Sequence, residues 1–273
     1  MSERYAVVGH PVAHSLSPLI HGLFAAATGQ DIEYTKIECA LDGFAATVEG
    51  FRAAGGRGLN VTVPFKVQAL QLATRPQPAA RAAGAANALR FAAGEIEAEN
   101  FDGLALVRDL THNLGTPLAG ARVLLLGAGG AARGALRPLL AERPAVLVVV
   151  NRDVAKARQV VGELGHEPRA RWCGYGDLGD ERFDIVIDGT SASLHGELPP
   201  IAASVFAPGA SAYEMVYGKG LTPFLRLARQ AGATRLADGV GMLVEQAAEA
   251  FAWWRGVRPA TAPVIERLAV PLA

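Results

Sequence analysis

A glycine-rich segment in the middle of the chain has the spacing of a dinucleotide-binding turn. The pattern Gly127-x-Gly129-x-x-Ala132 follows an apolar run and opens a helical pattern. In such a turn the first glycine permits the bend, the second lets the backbone approach a pyrophosphate, and the small third residue lets helix and strand pack closely. The unpaired N–H groups at the helix start favour that anion. This context predicts a nucleotide cofactor rather than a merely structural turn. The predicted site residues are Gly127, Ala128, Gly129, Gly130 and Ala131.

The end of the next strand bears on which cofactor this is. An NAD site places an acidic residue there for the ribose 2′-hydroxyl, whereas a guanidinium suits the 2′-phosphate of NADP. The chain has Asn151-Arg152-Asp153 at this point, with Lys156 three residues later. Asn151, Arg152 and Lys156 predict NADP. Asp153 keeps NAD open as an alternative, because its negative charge would oppose a 2′-phosphate. The structural interpretation is that Arg152 and Lys156 are only the solvated start of a helix.

Polar residues of the N-terminal half fall at loops and strand ends, where binding sites tend to lie. Taken singly, each has a structural explanation as a helix cap, a strand hydroxyl or a surface charge. Together with a nicotinamide site they predict a pocket for a small polyhydroxylated acid. The set consists of Ser15, Ser17, Asn60, Thr62, Lys66, Asn87 and Asp102.

The elements that must position these residues alternate between strand and helix, which is typical of an α/β protein with parallel sheets. Ser17 is predicted to cap a first helix with Pro18 at its first position, and Gly29 closes it. The apolar face of this helix is read as Leu19, Ile20, Leu23, Phe24 and Ala27. The other elements predicted in the N-terminal half are strands at 5–9, 32–37 and 59–63, a helix at 65–74, and a hairpin of 85–91 with 95–100.

In the second half, fully apolar runs predict buried strands. The predicted elements are strands at 122–126, 146–150, 184–188 and 210–215, and helices at 222–231, about 241–254 and after 261. The texture of the sequence changes at Arg122, and with boundaries near Gly103 and Gly239 the chain is predicted to form two α/β domains facing each other across a cleft. Residues 1–103, completed by C-terminal helices within 239–273, would bind substrate. Residues 104–238 would form a Rossmann-type domain that binds cofactor at the carboxyl ends of its strands.

Composition excludes several classes of function. Twenty-six basic and 26 acidic residues cancel, which argues against a nucleic-acid binder and against a polybasic membrane clamp. No apolar run is long enough to span a bilayer and the start lacks an export signal, so a cytoplasmic protein is expected. Cys39 and Cys173 are isolated thiols, and His10, His14 and His195 lack metal-ligand spacing, so no metal is expected.

Two long blocks carry a specific resemblance, Asn60-Val61-Thr62-Val63-Pro64-Phe65-Lys66 and Gly241-Met242-Leu243-Val244-x-Gln246. Shorter segments accompany them in order along the chain. These are Gly9-His10-Pro11, His14-Ser15-Leu16-Ser17-Pro18, Gly84-Ala85-Ala86-Asn87, Asn100-Phe101-Asp102-Gly103, Gly127-Ala128-Gly129-Gly130-Ala131, Asn151-Arg152, Tyr217-Gly218-Lys219-Gly220-Leu221-Thr222-Pro223 and Asp238-Gly239-Val240. Over nearly its whole length the sequence resembles the shikimate dehydrogenase family.

The resemblance implies an NADP-linked interconversion of shikimate and 3-dehydroshikimate, a step of chorismate and aromatic amino acid biosynthesis. It implies that Lys66 and Asp102 form the catalytic pair. The remaining implied roles divide between substrate and nicotinamide. On the substrate carboxylate the resemblance implies Ser15 and Ser17, with Tyr217 nearby. On the ring hydroxyls it implies Thr62, Asn87, Asp102 and Gln246, with Asn60 in the same pocket. Beside the nicotinamide it implies Met215 and Gly239.

These residue types suit the implied chemistry. Oxidising a secondary alcohol sends a hydride to nicotinamide and must also move the hydroxyl proton, which a positioned acid–base group can do. A lysine amine is protonated at neutral pH unless its site tunes it. Lys66 is therefore expected chiefly as a proton donor in the reducing direction and as a clamp on the developing alkoxide. Which of Lys66 and Asp102 formally takes the proton stays open.

The chain departs from the usual family pattern at three positions. Phe101 stands beside Asp102 where the family commonly has threonine, Ala88 replaces the threonine of Asn-Thr, and Asp153 replaces that of Asn-Arg-Thr. Ser17 favours shikimate, because relatives that also take quinate tend to have threonine there. Two alternatives remain, a quinate/shikimate dehydrogenase using NAD, which Asp153 favours, and a non-catalytic NADP-binding regulator. The sequence leaves monomer and homodimer open.

Overall fold

The computed structural model describes residues 2–272 and divides the chain into two compact units. The first unit comprises the chain up to Ala105 together with Val244–Arg267. The second comprises Leu106–Leu243 and the residues from Leu268 onward. The bulk of the second unit is therefore inserted into the first along the chain, and the chain returns to the second unit at Leu268.

The first unit is built on a six-stranded mixed sheet in the order β2-β1-β3-β5-β6-β4. Its strands are β1 (Glu3–Gly9), β2 (Ile32–Glu38), β3 (Gly56–Val61), β4 (Arg75–Pro76), β5 (Ala88–Ala92) and β6 (Glu95–Glu99). β1 pairs in parallel with β2 and β3, while β5 and β6 form the predicted antiparallel hairpin. Ala93 and Gly94 make its turn with positive φ angles of 50° and 82°.

Helices cover this sheet and present short apolar faces to it. They are α1 (Ser17–Thr28), α2 (Phe44–Ala53), α3 (Lys66–Leu72), α4 (Pro78–Ala83), the start of α5 (Asp102–Arg108), most of α9 (Val240–Arg255) and α10 (Ala262–Leu268). The core on one face contains strand residues such as Val8 and Leu59 and the stacked rings of Phe44 and Phe65. Trp254 of α9 is stacked on Tyr5 and donates a hydrogen bond to the Leu89 carbonyl.

The N-terminus of α1 differs from the prediction. The N-cap residue is Leu16, and Ser17 is the first residue of the helix rather than its cap. The Ser17 N–H instead donates to the Ser15 hydroxyl at 3.3 Å. The buried face is also rotated, because it carries His21 whereas Leu19 is 42% exposed.

The second unit contains a fully parallel six-stranded sheet in the order β12-β11-β10-β7-β8-β9. Its strands are β7 (Arg122–Leu126), β8 (Val146–Val150), β9 (Ala170–Cys173), β10 (Phe183–Asp188), β11 (Phe206–Glu214) and β12 (Arg235–Ala237). Counted from β7, this is the 3-2-1-4-5-6 order of the dinucleotide-binding fold. The strand order reverses at β7, so the carboxyl ends of β7 and β10 border the crevice where such folds bind ligands.

Helices α6 (Gly130–Ala141), α7 (Val154–Gly162) and α8 (Pro223–Gln230) flank this sheet. The central strands are buried on both faces, which explains their uninterrupted apolar sequences. Within residues 2–272, no helix combines the length and the apolar character needed to cross a membrane.

Candidate functional site

An ion pair joins the two residues expected to form the catalytic pair. The Lys66 Nζ lies 2.6 Å from Asp102 Oδ2, and their side chains are 29% and 9% exposed. Each is the first residue of its helix, Lys66 of α3 and Asp102 of α5. A carboxylate at a helix N-terminus is also favoured by the helix dipole.

The second oxygen of Asp102 is held by Asn87, whose Nδ2 donates to Oδ1 at 2.8 Å. The same amide nitrogen donates to Gln246 Oε1 at 3.2 Å, and the Asn87 oxygen accepts from the Phe101 N–H at 2.9 Å. The Asn87 amide is therefore fixed from both ends. It links the Lys66–Asp102 ion pair to a glutamine 159 residues further along the chain.

Asn100 bonds to the backbone of Asp102, a contact that sequence reasoning did not predict although it quoted Asn100 in a motif. Its Oδ1 accepts from the Asp102 N–H at 3.0 Å, and its Nδ2 donates to the Ala85 carbonyl at 3.0 Å. The side chain is buried and ties the turn before α5 to the chain before β5. The turn keeps these hydrogen bonds with Phe101 in it, and the Phe101 ring packs edge-to-face on Trp253.

The serine loop lies at the start of α1 in the same unit. The Ser15 hydroxyl donates to the Ser17 oxygen at 3.1 Å, and Ser17 is buried whereas Ser15 is partly exposed. Burial raises the pKa of the Tyr34 phenol well above its usual value, and a hydrogen bond from Ser17 partly offsets this. Thr62 follows β3 and is held through its N–H to the Val8 carbonyl.

Asn60 is buried at the end of β3 and contacts two side chains that sequence reasoning did not assign to the site. Its Oδ1 accepts from the Tyr34 hydroxyl at 2.7 Å and lies 3.1 Å from His21 Nε2. Burial lowers the pKa of His21 to about 3, against the opposing effect of its bond to Asn60. His21 is thus a neutral imidazole, and its place one turn after Ser17 on α1 was the signal available in the sequence.

The predicted glycine turn in the second unit has the geometry of its pattern. Gly127 has a φ of +99°, and a Cβ there would lie 3.2 Å from the Gly189 carbonyl oxygen. Gly129 is the N-cap of α6, and a Cβ built on it meets no heavy atom within 4 Å in the described part of the chain. Ala132 is buried against the sheet. The space above Gly129 fits close approach by a pyrophosphate.

The segment after β8 shows what Asp153 does. Its carboxylate caps α7 by accepting from the N–H groups of Ala155 and Lys156 at 3.1 and 3.4 Å. The Asn151 side chain donates to the Asp153 carbonyl at 2.9 Å, while Arg152 and Lys156 are exposed. Asp153 therefore has a structural task that threonine, another capping residue, also performs.

Met215 and Gly239 lie together in the second unit. A Cβ on Gly239 would lie 2.2 Å from the Met215 carbonyl oxygen, so this position requires glycine. The Met215 sulfur borders Gly189, whose Cβ would lie 3.2 Å from it. Tyr217 follows in the same unit, half-buried, and burial raises its pKa.

Two buried carboxylates stand side by side at the carboxyl ends of β10 and β11, where Asp188 pairs in register with Glu214. Burial, aided by the Glu214 charge, raises the pKa of Asp188 to about 6. Burial also raises the pKa of Glu214, which accepts a hydrogen bond from Thr222. Sequence reasoning placed Asp188 on a strand and attached no further role to it.

The structure thus gathers most of the predicted substrate residues into one network within the first unit. Hydrogen bonds connect Ser15, Ser17, Asn60, Asn87, Asp102, Lys66 and Gln246, directly or through Tyr34. Thr62 lies on the adjoining strand end. The predicted cofactor residues, together with Tyr217, lie in the second unit. The described chain holds no group of three or more His, Cys, Asp or Glu side chains placed for a metal ion.

Three family profiles match the chain. They are the shikimate dehydrogenase substrate binding domain over residues 7–89, shikimate / quinate 5-dehydrogenase over 109–195, and the shikimate 5′-dehydrogenase C-terminal domain over 239–269. The NADP(+) shikimate dehydrogenase of Nitrosospira multiformis is 54% identical over 268 residues, which cover 98% of each chain. The chain belongs to the shikimate dehydrogenase family.

Two solved structures share the fold of the chain. An Ael1 enzyme from Pseudomonas putida is 59% identical with a TM-score of 0.96, and each chain covers 100% of the other. A shikimate 5-dehydrogenase from Thermus thermophilus, crystallised with NADP(H) and shikimate, is 30% identical with a TM-score of 0.87 over 97% of both chains.

Proposed function

We propose that the chain catalyses the NADP-dependent interconversion of shikimate and 3-dehydroshikimate in aromatic amino acid biosynthesis. The Lys66–Asp102 ion pair, with Asn87 and Gln246 bonded around it, is the observation that carries this proposal. A non-catalytic regulator has no need of an ammonium and a carboxylate 2.6 Å apart at the starts of two helices. Full-length identity of 54% to an NADP(+) shikimate dehydrogenase supports the same activity.

The substrate is a carboxylic acid with ring hydroxyls, and the network offers partners for each group. Ser15 and Ser17 can turn their hydroxyls from each other toward a carboxylate, because a hydroxyl hydrogen rotates about its C–O bond. The amides of Asn87 and Gln246 and the Thr62 hydroxyl are assigned to ring hydroxyls. Further substrate assignments are Asn60, Asp102 and Tyr217.

Lys66 is assigned as the proton donor to the carbonyl oxygen of 3-dehydroshikimate during reduction. NADPH, when bound, supplies the hydride. The ammonium both stabilises the negative charge that grows on that oxygen and gives it a proton, and Asp102 keeps the ammonium in place. In the reverse direction the same group accepts the hydroxyl proton.

The cofactor is assigned to the second unit. Gly127–Ala131 are proposed to hold the pyrophosphate at the start of α6, where the open space above Gly129 supports close approach. Arg152, Asn151 and Lys156 are proposed for the 2′-phosphate. Because Asp153 is engaged with α7, its carboxylate is turned to the helix rather than available as the ribose ligand of an NAD site.

We assign substrate binding to residues 1–103 with 239–273 and NADP binding to residues 104–238. Met215 and Gly239 are placed beside the nicotinamide. A cytoplasmic location follows from the proposed biosynthetic role, and a monomer or homodimer is expected. Cell fractionation and sedimentation of the purified chain test these two points.

The decisive experiment compares shikimate and quinate, each with NADP and with NAD, at matched concentrations of purified chain. We expect the highest kcat/KM for shikimate with NADP. A higher kcat/KM for quinate with NAD would replace the proposal by the catabolic alternative. Turnover with none of the four pairs would leave the regulator.

A further inference from the structure

The Asn60 amide sits between an acceptor on one side and two hydrogen-bonding side chains on the other. Its Nδ2 faces the Asn87 carbonyl at 3.4 Å, and a carbonyl oxygen can only accept. The amide nitrogen must therefore point to Asn87, and Oδ1 must point to His21 and Tyr34. This orientation requires both of those side chains to donate.

The requirement fixes the state of the histidine. Nε2 is the ring nitrogen 3.1 Å from Asn60 Oδ1, so it carries the hydrogen. Nδ1 is then the unprotonated nitrogen, and it has no hydrogen-bond partner within residues 2–272. An unpaired acceptor is tolerated in a buried site better than an unpaired N–H, so burial favours this tautomer.

Packing holds the imidazole in place. The ring stacks on Tyr34 with centroids 4.2 Å apart and planes 7° apart, and Phe251 stacks near it at 6.0 Å. His21 is fully buried. Both donors therefore reach Asn60 from rigid positions, one on α1 and one on β2.

We propose that His21 and Tyr34 are positioning residues, which fix the Asn60 amide so that it offers the substrate an N–H donor and no acceptor. Both acceptor sites of Oδ1 are occupied by the two donors, and one of the two hydrogens on Nδ2 faces Asn87. The inference rests on the proposed function for the identity of the substrate. The orientation of the amide itself does not depend on it.

The first test is independent of turnover. Long-range ¹H–¹⁵N spectra of the ¹⁵N-labelled full chain report the ring nitrogens, with His21→Gln used to assign the signal. We expect Nε2–H and unprotonated Nδ1 from pH 5 to pH 8. A hydrogen on Nδ1, whether alone or together with one on Nε2, would overturn the proposal. Absence of shikimate turnover would refute the proposed function and leave this result standing.

The second test is a double-mutant cycle with shikimate as the probe. Tyr34→Phe should raise KM for shikimate about tenfold while kcat and NADP affinity change less than about threefold. In an Asn60→Ala background the same change should have no further effect on KM. An additive effect in that background would contradict the proposal, because the hydroxyl would then act elsewhere.

Conservative rescue separates positioning from packing. His21→Gln keeps an N–H donor and should hold KM within about threefold, whereas His21→Leu should raise it about tenfold. Equal KM values for the two variants would count against the role. Tyr5→Phe is the matched control, because it removes a buried hydroxyl of the same unit that bonds Glu3. Thermal unfolding identifies any variant that has lost its fold.

Discussion

At the scale of a single side chain, the Lys66 ammonium has hydrogen-bond donors that Asp102 does not use and that are available for catalysis. Its ammonium has three donors, and Asp102 receives one of them at 2.6 Å. We expect Lys66→Ala to lower kcat by about 10²–10⁴, since the variant lacks both proton donor and charge for the growing alkoxide. Steady-state kinetics with shikimate measures this.

The binding of NADP is the internal check on that variant. Its Kd, measured by fluorescence titration, should change less than about twofold, because Lys66 is assigned to the reacting oxygen alone. Arg75→Ala, which removes an exposed cation of the same unit, is the control and should keep normal kcat. Equal losses in kcat and NADP affinity would show that Lys66 has a different role.

Asp153 caps α7 and also places a negative charge beside Arg152, and one substitution can separate these two effects. Asp153→Asn retains a side-chain oxygen for capping α7 but removes a negative charge beside Arg152. We expect KM for NADP to fall about two- to fivefold, with KM for NAD unchanged, since only NADP carries the 2′-phosphate. A fall of similar size for both cofactors would show that the charge does not face the phosphate.

Stability provides the control for the capping role. Asp153→Ala should cost about 1 kcal/mol of unfolding free energy through loss of the cap, whereas Asp153→Asn should cost far less. Urea unfolding of the two variants measures the difference. Equal stability would mean that the bonds to Ala155 and Lys156 contribute little.

His21 shows why residue-level prediction was incomplete. The first helix was read from its apolar residues, which put Leu19 and Ala27 on the buried face. In the structure the face turns to include His21, and Leu19 is exposed. A histidine is buried at low cost only where another element supplies its partners, here Asn60 and Tyr34. Those partners are 39 and 13 positions away, beyond the reach of a helical period.

At the scale of elements, Gly129 separates folding from cofactor binding. Its φ of −79° suits any residue, and its missing Cβ faces space clear of the described protein atoms. We expect Gly129→Ala to leave Tm within about 2 °C and to raise KM for NADP at least about tenfold, because the methyl group would meet the pyrophosphate. Kinetics and thermal unfolding together check this.

The control is Gly162→Ala at the end of α7 in the same unit. A Cβ there also meets no heavy atom within 4 Å among the described residues. KM for NADP should stay unchanged in this variant. Normal NADP kinetics in Gly129→Ala would show that the glycine serves the turn alone.

Strong local patterns predicted most elements, and weak ones were missed. The strands of the second sheet with apolar runs, such as β7 and β8, were identified because they are buried on both faces. β9 (Ala170–Cys173) was missed because it is a short edge strand of mixed polarity. α2 (Phe44–Ala53) was missed because its N-cap is glycine and no capping side chain marks its start, although Phe44, Val48 and Phe51 have the spacing of one helix face. The Lys66–Asp102 contact spans 36 residues, and the family resemblance, rather than spacing, predicted it.

At the scale of the whole molecule, the carboxylate pair of β10 and β11 makes stability depend on pH. Folding raises the pKa of Asp188 from 3.8 to about 6. Between these two pKa values the folded chain holds the Asp188 proton and the unfolded chain has released it. The contribution of the protonated carboxyl to stability is therefore full below pH 3.8 and is lost as the pH rises through about 6.

Asp188→Asn tests this directly. The variant has no ionised carboxylate at this site. Its unfolding free energy, compared with that of the natural chain, should therefore rise by about 1–3 kcal/mol on going from pH 4 to pH 8. Urea unfolding at both pH values measures the change. Asp180→Asn, on an exposed loop, should show no such gain. A loss of stability at pH 8 in Asp188→Asn would mean that the charge is favourable where it lies.

The insertion of one unit within the other has a consequence for how the protein is made. Ribosomes release the chain from its N-terminus, and units tend to fold as they emerge. Lys66, Asp102 and Asn87 emerge early, but Gln246 follows only after Leu106–Leu243, the bulk of the second unit, has been synthesised. Every strand of the second sheet can therefore have emerged while the first unit still lacks Val244–Arg267. A nascent chain would acquire its cofactor site before the last amide joins Asn87, so dehydrogenase activity should be among the last properties to mature.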